Sequence, residues 1–207
     1  MNETKRNTSP YKASLTRRQY LFHEMRTTAR LVAAGLPDEK IVQTILAENL
    51  FQYPTEKSVR DLARICIQRL RGLDDSALVE SIADAPSDVA KQICLYAMMK
   101  QSRLVRDFMV DVIGSKYRQQ DLSFGKIDLN AFFFRLQEQD TTVATWSEST
   151  VSKLKQVLTN VLIENGYLDS PKSATLNPVL IDSSLLNSIE IHNDSAVLPA
   201  FNNFSGE

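Results

Sequence analysis

The sequence predicts a mainly all-α fold, a helical bundle followed by a winged helix-turn-helix with a small β-hairpin wing, on three observations. Of its 207 residues 43% are hydrophobic, with only 6 Gly and 7 Pro to interrupt them, a composition suited to long helices around a substantial core. Apolar side chains recur at helical spacing through most of the chain. Near the C-terminus, WSESTVSKLKQVLTNVLIENGYL, residues 146–168, reads as a helix opened by a polar residue and closed by a glycine, with a strand behind it.

The expected organisation is a flexible N-terminus over 1–13, the bundle over 14–125, the winged-helix domain over 126–182, and a short helix and tail over 183–207. The first dozen residues are polar, with Tyr11 and Leu15 as possible anchors. SLTRRQYLFHEMRTTARLVAAG predicts one long helix from about Ser14 to Gly35, burying Leu21, Met25, Leu31 and Val32 and carrying Arg17, Arg18, Arg26 and Arg30. LPDEKIVQTILAENL makes a second, with Pro37 and Asp38 in the first turn, where proline loses no bond and a carboxylate suits the helix dipole.

Thr55 opens a third helix, EKSVRDLARICIQRLRGL. Its inward positions are Val59, Leu62, Ala63, Cys66 and Leu70, and Lys57, Arg60, Arg64 and Arg71 share another face. Four cations with little acid between them fit a phosphate track, although such an edge is often only solvated. The next segments stay helical: DDSALVESIADA, PSDVAKQICLYAMMKQS and RLVRDFMVDVIGSKYRQQ. The second has more apolar positions than one stripe needs, which places it centrally. DLSFGK, with Gly125, is the expected linker.

IDLNAFFFRLQEQD predicts a helix with Leu129, Phe132, Phe133 and Leu136 inward, and TTVAT a short one. A capped third helix then completes the helix-turn-helix order. Ser147 sits where an N-cap belongs and Gly166 where a left-handed C′ residue belongs. Val151, Leu154, Leu158, Val161 and Leu162 form the buried stripe. Opposite them, Ser149, Ser152, Lys153, Gln156 and Asn160 form a stripe of hydroxyls, amides and one cation without a carboxylate, able to bond base edges or phosphates. GYLDSPKSATLNPVLI reads as strand, turn and strand, with Lys172 at the tip of a wing. DSSLLNSIEI predicts a short last helix before an aperiodic tail.

The net charge of -1 hides an asymmetry. Residues 1–73 carry 13 Lys or Arg against 7 Asp or Glu, and the remainder 11 against 18. A basic third of this kind can steer a polyanion, or an acidic protein, to one side. No apolar run approaches the roughly 18 residues that cross a bilayer, and no signal segment follows the N-terminal charges, so a soluble cytoplasmic protein with no membrane partner is expected. Cys66 and Cys94 have no second ligand at metal spacing and are expected as buried thiols; His23 and His192 are isolated. Phosphate loops, dinucleotide glycines, zinc motifs and nucleophile elbows are missing. A non-enzymatic protein is expected, with no catalytic residue, metal, cofactor or small-molecule substrate. Oligomeric state is left open.

Pieces spread along the chain resemble the BrxA family of BREX bacteriophage-exclusion systems: Tyr11-Lys12-Ala13-Ser14-Leu15 ahead of a helix with Glu24, Ala47-Glu48-Asn49-Leu50, and the Arg69-Leu70 helix end. The likeness continues through Asp107-Phe108-Met109, Ala144-Thr145-Trp146-Ser147-Glu148-Ser149-Thr150 and Glu164-Asn165-Gly166-Tyr167-Leu168. Order and spacing carry it. The resemblance implies a body similar to the antitermination factor NusB, a winged-helix portion, double-stranded DNA binding, and a place in antiviral defence beside methyltransferase, ATPase and phosphatase partners. The family has also carried an inner-membrane label, which this sequence does not support. Three readings follow: a largely sequence-nonspecific duplex-DNA-binding subunit, a protein-interaction adaptor among BREX components, and a NusB-like RNA binder.

Overall fold

Eleven α-helices, two short 3-10 helices and a π-helical stretch form the regular structure of the residues described by a computed structural model, 10–16 and 20–204. The expectations for residues 1–9, Arg17 and Arg18 lie outside the described residues. The all-α class is observed: among the described residues no strand forms, and one antiparallel bridge joins Ser123 to Thr175.

The first long helix is shorter than its periodicity predicts. A 3-10 turn, Ala13–Thr16, buries Leu15, and α1 begins only at Phe22 and runs to Ala33. Leu21 interrupts it in the left-handed region, at φ 61°. The cause is tertiary. The Tyr20 hydroxyl is held by the Lys91 carbonyl at 2.5 Å and Asn165 Oδ1 at 2.9 Å, and its own carbonyl accepts from Arg69 Nη1 at 3.1 Å. Three distant elements fix this residue, and local helix propensity is too weak to resist them.

Helices α2 (Asp38–Ala47), α3 (Glu56–Arg71), α4 (Ser76–Asp84) and α5 (Ser87–Gln101) follow the predicted pattern. Asp75 caps α4 by accepting from the amides of Ala77 at 2.9 Å and Leu78 at 3.2 Å. α5 is central: Ile93, Leu95, Tyr96, Ala97 and Met98 are all buried. Next, α6 (Arg103–Asp107), a π-helical stretch (Phe108–Gly114) and α7 (Ser115–Arg118) run on continuously. The tail packs rather than trails. After α11 (Ser183–Ile191), a 3-10 helix (Ser195–Phe201) buries Val197, Leu198 and Phe201 and seats Pro199 on Gly114, where an added Cβ would lie 2.8 Å from the Pro199 Cβ.

Helices α8 (Lys126–Gln139), α9 (Thr141–Ala144) and α10 (Glu148–Glu164) appear in the predicted order, with Leu129, Phe132, Phe133 and Leu136 buried. Behind α10 the prediction fails. The β-hairpin wing is not formed, because the chain after the 170–173 turn pairs backwards with the segment before α8. The Leu176 amide donates to the Leu122 carbonyl at 2.7 Å and the Phe124 amide to the Ala174 carbonyl at 3.0 Å, while the Asn177 amide donates to Tyr167 at 2.9 Å. The 121–125 segment, expected as a linker, is thereby tied down. Lys116 holds it too, with Asp121 and Asp128 each 3.0 Å from its ammonium. One hydrophobic cluster extends from Leu15 through α3, α5 and α10 to Phe201.

Candidate nucleic-acid interface

The first surface is the outer edge of α3. The Thr55 hydroxyl accepts from the Ser58 amide at 3.3 Å, which sets the helix phase. Val59, Leu62, Ala63, Cys66 and Leu70 then turn inward, and all are buried. At about 100° per residue the same phase gathers Lys57, Arg60, Arg64 and Arg71 within roughly 60° of arc, and all four are exposed. Lys57, Arg60 and Arg64 form no ion pair among the described residues. Arg71 differs: its Nη2 lies 2.8 Å from Asp38 Oδ1, both side chains about half exposed at 53% and 49%. A pair so exposed holds its partners weakly. Between α2 and α3 runs a groove of about 540 Å³, with Val42 and Leu46 in its lining, Arg60 and Arg64 on one side and Asp38 and Glu39 on the other.

The second surface is α10. Ser147 caps it, its Oγ accepting from the Thr150 amide at 3.2 Å, and Gly166 follows at φ 75°, in the left-handed region that glycine enters at no steric cost. Ser149, Ser152, Lys153, Gln156 and Asn160 are all exposed, and Lys153 Nζ donates to Gln156 Oε1 at 3.0 Å. The stripe borders two different concavities. Asn160 lines a cleft of about 560 Å³ together with Tyr20, Phe22, Glu24 and Tyr53 of the bundle. Ser152 and Gln156 open on a groove of about 560 Å³ between α8 and α10. Lys172 is exposed in the turn, where its amide donates to Ser170 Oγ at 3.2 Å. Without a hairpin it does not stand at a wing tip.

Sequence reasoning missed what faces α10 across that second groove. Lys126 and Asn130 of α8, Lys155 of α10 and Trp146 all line it. Lys155 Nζ donates to Asn130 Oδ1 at 2.7 Å and lies 5.7 Å from the Phe133 ring centre. The available signal was the spacing of 126 and 130, four residues apart on one helix face. Behind the surfaces lies a polar interior that periodicity does not show. Glu24 accepts from the Tyr53 hydroxyl at 3.0 Å, Arg69 donates to Gln101 at 3.0 Å, and Asp107 accepts from Tyr11 at 2.7 Å and pairs with Arg103 at 2.6 Å.

The two cysteines are buried away from these surfaces. Burial pushes the Cys66 thiol up to about 12 and raises that of Cys94 further, so neither is a thiolate near neutrality. Burial, with Glu24 beside it, also raises Tyr53. Among the described residues no cluster of three or more His, Cys, Asp or Glu could hold a metal ion.

The sequence model of the BrxA family matches residues 9–193. The chain belongs to the BrxA family. Its relatives include a BREX protein BrxA of Bacillus cereus, 35% identical over 162 residues that cover 78% of this chain and 80% of that one. Another, from Escherichia coli, is 28% identical over 159 residues, 76% of this chain and 74% of its own. A crystal structure of an uncharacterized protein from Magnetospirillum magneticum superposes with a TM-score of 0.79 over 93% of this chain and 98% of that one, at 24% identity. It shares the fold. As to the family's inner-membrane label, among the described residues of this BrxA-family chain no helix is long and apolar enough to cross a membrane.

Proposed function

We propose that this BrxA-family chain is a non-enzymatic, double-stranded-DNA-binding subunit of a BREX phage-defence system, acting in the cytoplasm with little sequence preference. The observation that carries the reading is uncommitted charge: Lys57, Arg60 and Arg64 stand exposed on one α3 face without carboxylate partners among the described residues. In this reading these three contact phosphates, Arg71 joins them by leaving Asp38, and Lys153 and Lys172 add contacts from α10 and the 170–173 turn. Ser149, Ser152, Gln156 and Asn160 lie against the duplex. Hydroxyls and amides of this kind bond phosphate and base edges alike, and their small number favours position over sequence.

The test is binding of a labelled duplex of arbitrary sequence across a salt series. Log affinity should fall linearly with log salt, with a slope of about -0.9 per phosphate neutralised. No binding at low salt overturns the proposal. A structured RNA bound more tightly than duplex at matched salt replaces it with the RNA-binding reading.

A second reading, an adaptor that docks another BREX component, draws on the groove between α2 and α3. Its apolar lining residues Val42 and Leu46, with Arg60 and Arg64 along one side and Asp38 and Glu39 along the other, suit an amphipathic helix with acidic residues on one flank and basic residues on the other. That reading predicts capture of a BREX partner without DNA.

A further inference from the structure

We infer that the groove between α8 and α10 is a binding site for one unpaired nucleotide of a DNA strand. The inference deepens the nucleic-acid reading of α10 and rests on it. Apolar side chains, Leu129 and Val151, form part of the lining, Trp146 supplies an aromatic surface, and Lys126 and Lys155 supply cations against a single carboxylate, Glu148. About 560 Å³ is room for a base and its phosphate, within the range of small-ligand pockets.

The hydrogen bonds already made decide what the groove offers. The Asn130 carbonyl oxygen accepts from Lys155, and that of Gln156 accepts from Lys153. In each amide one lone pair of the oxygen is engaged by an ammonium group, and neither amide donates its own N–H bonds within the described residues, which leaves those bonds for a ligand. Lys155 spends one of its three N–H donors on Asn130 and keeps the others for an oxygen. The walls are thus rich in donors. The complementary ligand carries acceptors and a flat apolar body, which describes a carbonyl-bearing base, thymine foremost, with its phosphate. Adenine, whose acceptors are ring nitrogens and whose amino group finds a single lining carboxylate, Glu148, to receive it, fits less well. Trp146 gives such a base a stacking surface, an interaction that is tolerant of sequence and strong enough to hold a single strand.

Trp146 is the sole tryptophan of the chain, so intrinsic tryptophan emission reports on this groove alone. The full chain is titrated with eight-nucleotide oligothymidylate, oligoadenylate and a blunt duplex, while anisotropy of labelled DNA follows total binding. Saturable quenching by oligothymidylate is expected, several-fold tighter than by oligoadenylate and absent with the blunt duplex. K155E and Q156A should weaken the quenching binding by about tenfold and about threefold, with unchanged far-ultraviolet circular dichroism; W146F should retain strand binding by anisotropy, and W146L should lose about tenfold. Unaltered emission on single-strand binding overturns the inference, as does equal quenching by duplex. Quenching by an acidic peptide but by no oligonucleotide also overturns it and makes the groove a protein site. Duplex binding by anisotropy with no quenching by oligothymidylate sinks the nucleotide site alone; quenching by single strand with no duplex binding sinks the duplex reading and leaves the site standing.

Discussion

Helices α3 and α10 are built alike and finished differently. Each is opened by a hydroxyl cap, Thr55 or Ser147, and each buries one apolar stripe in the same hydrophobic cluster. On the outside, α3 carries full charges on long stems, whereas α10 carries hydroxyls, amides and Lys153. A charge acts over about 10 Å at moderate salt, and a hydrogen bond only within about 3 Å. The first attracts a polyanion from any approach; the second acts once the strand is seated. In the proposed duplex-binding reading, affinity and salt dependence belong to α3, and register to α10.

The largest effect should come from reversing that charge. R60E with R64E is expected to weaken duplex binding by about two orders of magnitude near physiological salt and to flatten the log-log salt slope by about 2. Cys66 on the buried face of α3 supplies the control. Its thiol, pushed up to about 12, should react with a disulfide reagent only on unfolding, so slow labelling in the variant shows the helix still docked. Loss of affinity with fast labelling would locate the defect in folding. K153E, a single reversal on α10, should cost about tenfold and reduce the slope by about 1. If it outweighed the double reversal on α3, the division of roles would be the wrong way round.

Much of the build of these two helices was legible because it is local. Caps, stripes and the cationic phase of α3 all depend on residues within one or two turns, and Thr55, Ser147, Arg60 and Lys153 stand as their spacing predicts. The failures come from partners distant in sequence. Leu21 is forced left-handed beside a Tyr20 held from residues 69, 91 and 165. The wing is replaced by pairing between residues 122–124 and 174–176, a register that turn chemistry at Ser170 to Ser173 does not encode. Trp146, Lys155 and Asn130 become neighbours only when α8 packs beside α10. The stretches that carried the family resemblance place several residues in this polar interior, Glu24, Arg69 and Asp107 among them. Order and spacing revealed the family where periodicity was silent about their hydrogen bonds.

The caps allow a subtler test. T55A and S147A should each cost about 1 kcal/mol in chemical denaturation, since each removes the acceptor of one first-turn amide. Their effects on DNA should diverge. Flexible cations on α3 tolerate a frayed first turn, while Ser149 and Ser152 lie in the first turns of α10 and lose their geometry with the cap. S147A should therefore lower duplex affinity about threefold to fivefold where T55A leaves it within about twofold. Equal losses would mean that both helices act through charge alone.

The smallest effect on duplex should come from Q156A. Gln156 Oε1 holds the Lys153 ammonium at 3.0 Å, so the substitution removes one hydrogen-bonding group and releases a cation toward the phosphates. The two consequences oppose each other: a neutral surface hydrogen bond contributes on the order of 1 kcal/mol, and a freed lysine recovers part of that by pairing with a phosphate. Duplex affinity is expected to change by less than about threefold with the salt slope unaltered. A tenfold loss at constant slope that differs from one duplex sequence to another would identify Gln156 as a reader of base edges: the constant slope means that the missing interaction displaced no counterions, and the unequal loss separates a base edge from a phosphate. Sequence selectivity would then be expected from α10, and duplexes differing at single positions would bind this protein unequally.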